Sequence, residues 1–337
     1  MKVWRSRVGG AETVTAPKRG SKFIGVDVGG TKILGLVTDG VGATATDREL
    51  QPTPKDDPDD LAPAILGVVR TLLERNPSVV GIGVGVPGLV DHGGVLHYGP
   101  NVQGVLGLDI AGHLNESFSV PAVAENDGYL SALTEHRLGA ARGHDHAIIV
   151  TQGTGIGGGL IVGGQVLRGA NGFAGEPGHM LVDRFGHRCA CGNVGCWEAV
   201  SSGAGLANLA RDVVDEGGGA AIVEAAGGDP AKIRGEHVAA AFEAGDPGAI
   251  EAMRRFSFWI AQGIGSLIAL LDPSIVVLGG GLSAISGDFL DGVAAQVGDC
   301  VVGGPYRPVV PIVPAEFGGE AGAVGAALRA RDFVING

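Results

Sequence analysis

Twice in this chain a short apolar run stops at a Gly/Thr turn and a second apolar run leaves it. The first is 23–28, closed by Asp27-Val28-Gly29-Gly30-Thr31-Lys32 and resumed at 33–37; the second is 147–150, closed by Thr151-Gln152-Gly153-Thr154-Gly155 and resumed at 156–162. Strand, tight polar turn and strand make a hairpin, and a hairpin needs further layers to bury its faces. The sequence supplies them. Residues 41–50 read as a third strand, 61–74 as a helix by apolar spacing, 79–86 as a buried strand ended by Pro87-Gly88, 120–124 as another strand and 127–138 as a helix. In the second half, 206–271 reads as mostly helical and ends in the apolar stretch 256–271, which suits a core or an interface. Residues 275–278 then read as a buried strand running into Gly279-Gly280-Gly281, and 320–331 as a final helix. Strands feeding helices in both halves predict an α/β layered fold. Beyond the shared opening the halves match poorly, so an internal repeat is no more than suggested.

A length of 337 residues allows about two domains. The 62 glycines are aperiodic and sit beside apolar runs, which assigns them to turns rather than to collagen or low-complexity disorder. A formal net charge of -12 excludes a general nucleic-acid surface, which needs clustered Lys and Arg. No apolar stretch reaches the roughly 18 residues of a membrane span. Residues 1–20 are basic, through Lys2, Arg5, Arg7, Lys18 and Arg19, yet lack an apolar signal core. They read as a short disordered leader on a cytoplasmic protein.

The turns carry the first chemistry. Glycines let backbone N–H groups face phosphate oxygens without an intervening Cβ. Thr31 adds a hydroxyl, Lys32 a positive charge, and Asp27 at the strand end is placed to hold Mg²⁺ through water. Thr151, Gly153, Thr154 and Gly155 form a second such turn, and Gly279, Gly280 and Gly281 a third, suited to flank a base and ribose. Any one of them is compatible with an ordinary β-turn. Three after strands, none with P-loop spacing, point to two hairpins clamping a triphosphate between domains.

Glu125-Asn126-Asp127 follows a buried strand and opens a helix. Asp127 there is either a helix cap or a base that accepts the proton of a sugar hydroxyl, with Asn126 bonding neighbouring hydroxyls. Cys189-x-Cys191-x₄-Cys196 is the strongest local signal, with His179 and His187 upstream. Three thiolates and one imidazole match a structural tetrahedral Zn²⁺ site, and spacing alone leaves the choice of histidine open. Glu176 and Glu198 flank the cluster, where a bound metal would hold both backbones rigid for recognition of sugar hydroxyls.

Together these segments resemble the ROK family of sugar kinases, and most closely its zinc-containing bacterial glucokinases. The resemblance runs from about Phe23 to the last helix and is most specific across 169–203, with G-A-N-G-F-A-G-E-P-G-H and C-x-C-G-x-x-G-C-W-E-x-x-x-S-G. It implies two actin-like, ribonuclease H-like α/β domains with an interdomain cleft, MgATP as phosphate donor, and phosphorylation of a hexose, glucose first. It implies phosphate turns at Gly29–Lys32 and Thr151–Gly155, adenosine near Gly279–Gly281, and a sugar surrounded by Asn101, Asn126, Asp127, Glu176, His179 and Glu198. It also implies His179 as the zinc ligand beside Cys189, Cys191 and Cys196, and a homodimer or homotetramer. The expected domains are 21–126 with 320–337, the smaller, and 127–319, the larger, carrying the zinc loop. Two departures touch the sugar pocket: Gly128-Tyr129-Leu130 stands where the family has small residues and Asn, and 102–108 lacks a Trp. They keep an N-acetylhexosamine, fructose or allose as alternative substrates. The family also includes sugar-responsive repressors, but about 20 residues before the first strand are too few for a helix-turn-helix domain.

Overall fold

The computed structural model describes residues 20–41, 44–54, 57–99, 107–281 and 287–336. The expected leader, apart from Gly20, and the expected sugar ligand Asn101 lie outside the described residues.

The chain opens with β1 (Lys22–Val28), β2 (Lys32–Thr38) and β3 (Asp47–Pro52), then α1 (Leu61–Arg75) and β4 (Val79–Val86). A small sheet of β5 (Leu89–Val90), β6 (Val95–Tyr98) and β7 (Leu108–Asp109) precedes α2 (Ile110–Ser117), β8 (Ala122–Asn126) and α3 (Asp127–Arg137). The second half begins with β9 (Ala147–Gln152), β10 (Ile156–Val162) and β11 (Gln165–Val166). Five helices follow: α4 (Glu198–Ser201), α5 (Gly203–Asp215), α6 (Ala220–Ala225), α7 (Gly235–Glu243) and α8 (Pro247–Leu271). The chain finishes with β12 (Ile275–Gly279), α9 (Gly287–Cys300), β13 (Ile312–Pro314) and α10 (Ala321–Asn336).

Two five-stranded sheets organise these elements, in the orders β3-β2-β1-β4-β8 and β11-β10-β9-β12-β13. In each, the first strand of the hairpin is central, with two antiparallel pairings on one side and two parallel pairings on the other. The repeat faintly visible in the sequence is therefore complete in topology. It is the ribonuclease H-type sheet, present once in each half, and the pair is the actin-like arrangement.

Burial explains the elements. Val26, Val28, Ile82, Val84 and Val86 are buried with Ile65, Val68 and Leu72 of α1, so one face of the first sheet is a continuous apolar layer. In α8, Phe256, Ile260, Ile264 and Ile268 recur at helical spacing and are buried, while Phe258 and Leu270 are exposed. The apolar stretch 256–271 is thus mainly a core stripe. On the other face of the first sheet α10 approaches backbone to backbone. A Cβ on Gly83 would come within 1.9 Å of the Ala326 carbonyl oxygen, and one on Gly325 within 2.1 Å of that of Leu130 in α3. The Ala/Gly pattern of α10 lets it lie between β1, β4 and α3, and α3 in turn packs on β9 and β10 of the second sheet.

The third strand is displaced from the expected 41–50 to Asp47–Pro52. Its residues alternate half-buried and exposed at a sheet edge, where Pro52 is tolerated because no ladder partner needs its N–H.

Candidate active site

A cavity of about 670 Å³ opens where the carboxyl ends of β1 and β8 face the β9–β10 turn. The β1–β2 hairpin turns through Gly30 and Thr31, closed by the Gly29 N–H on the Lys32 carbonyl at 2.9 Å, and Thr53 Oγ1 donates to the Gly29 carbonyl at 2.6 Å. The β9–β10 turn is closed by Gly153 N–H on the Gly155 carbonyl at 2.9 Å and fastened to α5 by Gly203 N–H on the Gly153 carbonyl at 2.8 Å. Gly29, Gly30, Thr151, Gly153, Thr154, Gly155 and Gly280 all line the cavity. Gly280 has φ +89°, and a Cβ there would sit 2.1 Å from the Gln152 carbonyl oxygen, so glycine alone fits beside the second turn. A second cavity of about 1060 Å³ shares Gly153 and Thr154 with the first and continues along α5, α7 and Gly281. An elongated ligand can therefore lie along the second turn with its two ends in separate chambers. Asp27, Thr31, Lys32 and Gly279 are not on the wall of this cavity, and Thr31 and Lys32 are exposed on the first turn.

β8 runs directly into α3, and that corner presents Asn126 and Asp127 to the cavity. Asn126 caps the helix: its Oδ1 accepts from Tyr129 N–H at 2.8 Å while its Nδ2 donates to the Gly88 carbonyl at 3.0 Å and to Glu176 Oε1 at 3.3 Å. One amide thus ties the corner to the strand end after β4 and to the segment that carries Glu176. Asp127 Oδ1 accepts from Gly128 N–H at 2.9 Å. Burial pushes its carboxyl above the usual range, with that N–H pulling the other way.

The facing wall holds Glu176, His179 and Glu198. Burial, then the charges of Asp127 and Glu198, push Glu176 up to about 7. Glu198 Oε2 accepts from Ile156 N–H at 2.8 Å, and glycine at 155 admits that carboxylate, since a Cβ there would meet it at 2.3 Å. Asp27 is also pushed up to about 7, by burial and by Asp127, with Lys32 opposing. A carboxyl raised in the folded state stabilises the fold fully below its ordinary value of 3.8 and loses that contribution as pH rises through about 7. Asp27→Asn should therefore gain thermal stability relative to the parent as pH is raised from 4 to 8 without nucleotide. A stability difference independent of pH, read by thermal unfolding, would count against a buried, destabilised charge at this position.

His179, Cys189, Cys191 and Cys196 bring one ligand atom each within 4.8 Å of all the others. Cys191 and Cys196 sulfurs are 3.6 Å apart, and Cys189 Sγ is 3.8 Å from His179 Nδ1. Zinc–ligand bonds of about 2.3 Å in a tetrahedron place sulfurs about 3.8 Å apart, so the donor set fits a Cys₃His metal site. Burial pushes the Cys196 thiol up to about 11; a dication supplies the counter-charge that lets such a thiol ionise. His187 is committed elsewhere, 2.9 Å from Asp212. The histidine left open by spacing is therefore His179.

Sequence reading missed Pro87, Leu89, Tyr98, Phe173 and Asn193 on the cavity wall. The Pro87-Gly88 break was visible as a turn, but only the Asn126 bond to Gly88 makes it part of the site. Glu125, read with Asn126 and Asp127 as one motif, faces away from the cavity and is 3% exposed.

Residues 23–332 match the ROK family. A glucokinase of Streptomyces coelicolor is 35% identical over 92% of this chain and 97% of its own length. A xylose repressor of Bacillus subtilis is 28% identical over 95% of this chain and 79% of its own. Among solved structures, a ROK family glucokinase from Streptomyces griseus in complex with glucose and AMPPNP superimposes with a TM-score of 0.80 at 34% identity, covering 92% of this chain and 99% of that one.

Proposed function

This chain belongs to the ROK family, and from that premise we propose that it is an ATP-dependent hexose kinase, a glucokinase acting on the sugar 6-hydroxyl. The observation that carries the reading is the company Asp127 keeps: a half-buried carboxylate on one cavity wall with two Gly/Thr turns on one side and Glu176, His179 and Glu198 on the other. Asp127 takes the hydroxyl proton as the sugar oxygen attacks the terminal phosphorus of ATP and the bond to the departing diphosphate breaks. Its raised pKa makes it a better proton acceptor than a solvated aspartate. Glu176, Glu198 and Asn126, with Asn101, hold the other sugar hydroxyls. Gly29 to Lys32 and Thr151 to Gly155 offer N–H and hydroxyl groups to the phosphates, and the adenosine end extends past Gly279–Gly281 into the larger chamber.

His179, Cys189, Cys191 and Cys196 would hold a zinc ion whose role is structural, joining the turn that bears Glu176 to the loop that precedes Glu198. Asp27 would hold Mg²⁺ through water, which neutralises phosphate charge when bound. We take 21–126 with 320–337 and 127–319 as the two lobes, and the working enzyme as a cytoplasmic homodimer or homotetramer that binds neither nucleic acid nor membrane. No helix among the described residues is long and apolar enough to cross a membrane.

A coupled ADP-release assay over glucose, mannose, fructose, allose and N-acetylated amino sugars tests this. Glucose should give the highest kcat/KM. A preference for an N-acetylhexosamine would change the substrate and keep the kinase, whereas no sugar-dependent ADP release with any of them would overturn the reading.

A further inference from the structure

The cavity does not account for Arg168, yet this residue touches the chain on both sides of Asp127. Its Nη2 donates to both carboxylate oxygens of Glu125, at 2.7 and 2.9 Å. Its guanidinium carbon lies 5.7 Å from the centre of the Tyr129 ring. Residues 125 and 129 are the second neighbours of Asp127 in either direction, so one side chain braces the β8–α3 corner from before and after. Glu125 is buried, and a second guanidinium, Arg329 of α10, meets it at 2.9 Å. A buried carboxylate between two guanidiniums has little rotational freedom, because loss of either partner leaves charge without compensation. The other end of Arg168 is equally committed: its carbonyl accepts from Ala174 N–H at 3.2 Å, inside the segment that goes on to Glu176 and His179. The residue therefore joins the corner carrying the base to the segment carrying the sugar ligands.

We infer that Arg168 is a positioning residue for Asp127, holding its carboxylate in line with the reacting hydroxyl through Glu125 and Tyr129. Lysine is a poor replacement, since an ammonium offers no flat face to the Tyr129 ring. Arg329 is the built-in comparison. It pairs with the same carboxylate but belongs to α10 and has no part in the substrate segment. If all that matters is neutralising Glu125, the two arginines are equivalent; if the corner must be held, they are not.

This inference rests on the kinase reading for its kinetic arm and not for its structural one. In full-length protein, Arg168→Lys should lower kcat about ten- to a hundredfold, the range expected when a reacting group is displaced by about 1 Å. Sugar KM and bound metal should stay within about twofold of the parent. Arg329→Lys should lower the unfolding temperature and leave kcat within about twofold, because Arg329 belongs to α10 and not to the segment that leads to Glu176 and His179. Amide hydrogen exchange should accelerate across 125–131 in Arg168→Lys and not elsewhere in α3. Should that variant fail to fold, Tyr129→Leu removes the ring contact while keeping the ion pair and should lower kcat at constant KM. The inference is overturned if Arg168→Lys keeps full kcat, if it loses kcat, sugar affinity and metal together, or if Arg329→Lys matches it. Were the parent to phosphorylate no sugar, the kinase reading would fall, and unchanged exchange across 125–131 would then overturn the inference on its own.

Discussion

Asp127→Asn should reduce turnover by about a hundred- to ten-thousandfold, the usual contribution of a general base, while sugar affinity stays nearly unchanged. The substitution is close to isosteric. An asparagine oxygen can still accept from Gly128 N–H, the bond Asp127 makes at 2.9 Å, so the first turn of α3 keeps its geometry. Only proton affinity is lost. The loss should therefore appear in kcat, because the base is needed in the transition state and scarcely in the bound ground state. The pH profile gives a second reading. Asp127 must be ionised to accept a proton, and burial places its pKa above the ordinary carboxylate value, so the acid limb of kcat/KM should fall at a higher pH than a solvated aspartate would give. In the Asn variant that limb should vanish from the residual rate. Turnover near that of the parent would remove Asp127 from the chemistry.

Loss of the metal cluster should be the other large effect, and it should fall on a different constant. Cys196 is fully buried and its sulfur lies 3.6 Å from that of Cys191. Leu181 pairs with Cys196 across an antiparallel bridge, and Val182 N–H bonds the Gly195 carbonyl at 2.8 Å, so the Cys loop and the segment after His179 already form a rudimentary ribbon. Structural zinc is worth about 10–16 kcal/mol in small peptides that fold only around it. Here the second lobe has a large apolar core of its own, so Cys196→Ser should unfold the loop rather than the lobe. Metal content should drop from about one ion per chain to none, and sugar KM should rise at least about tenfold, in keeping with the cost of disturbing groups that orient ligands. Nucleotide affinity should change less than sugar affinity, since the Cys loop reaches the second turn through Glu198, whose carboxylate accepts from Ile156 N–H at 2.8 Å, and does not form the turn itself. Elemental analysis together with sugar-binding calorimetry on the same preparation checks this, and full sugar affinity in metal-free protein would separate the cluster from substrate recognition.

Much of this arrangement is legible in the sequence because its signals are local. Val79–Val86 and Ile156–Val162 are apolar runs bounded by turn residues on at least one side, and both strands match their expected limits. The cysteine spacing marks the metal cluster before any coordinate does. What stays hidden depends on distant partners or weak periodicity. β3 opens with three charged residues, Asp47, Arg48 and Glu49, at an edge, so its limits are set by its pairing with β2 and not by hydrophobicity. β5 and β7 are two residues each, too short for any pattern to rise above the background. Glu125 looks like part of the Asn126-Asp127 motif until the pleat turns it to the opposite face, where its partners come from 43 and 204 positions away. The choice between His179 and His187 is likewise made by Asp212, a residue on α5 with no sequence mark of its function.

The seat of α10 has a consequence for how the protein comes into being. The strands at residues 22–86 lie against a helix synthesised after every strand of both sheets, and glycines 25 and 83 are shaped for its carbonyls. On the ribosome, the first sheet emerges early yet keeps an apolar face uncovered until residue 321 and beyond have left the exit tunnel, whereas most of the second half can already assemble around α8. The sheet made first is covered after the second has formed, and that interval is when the nascent chain most needs shelter from its neighbours.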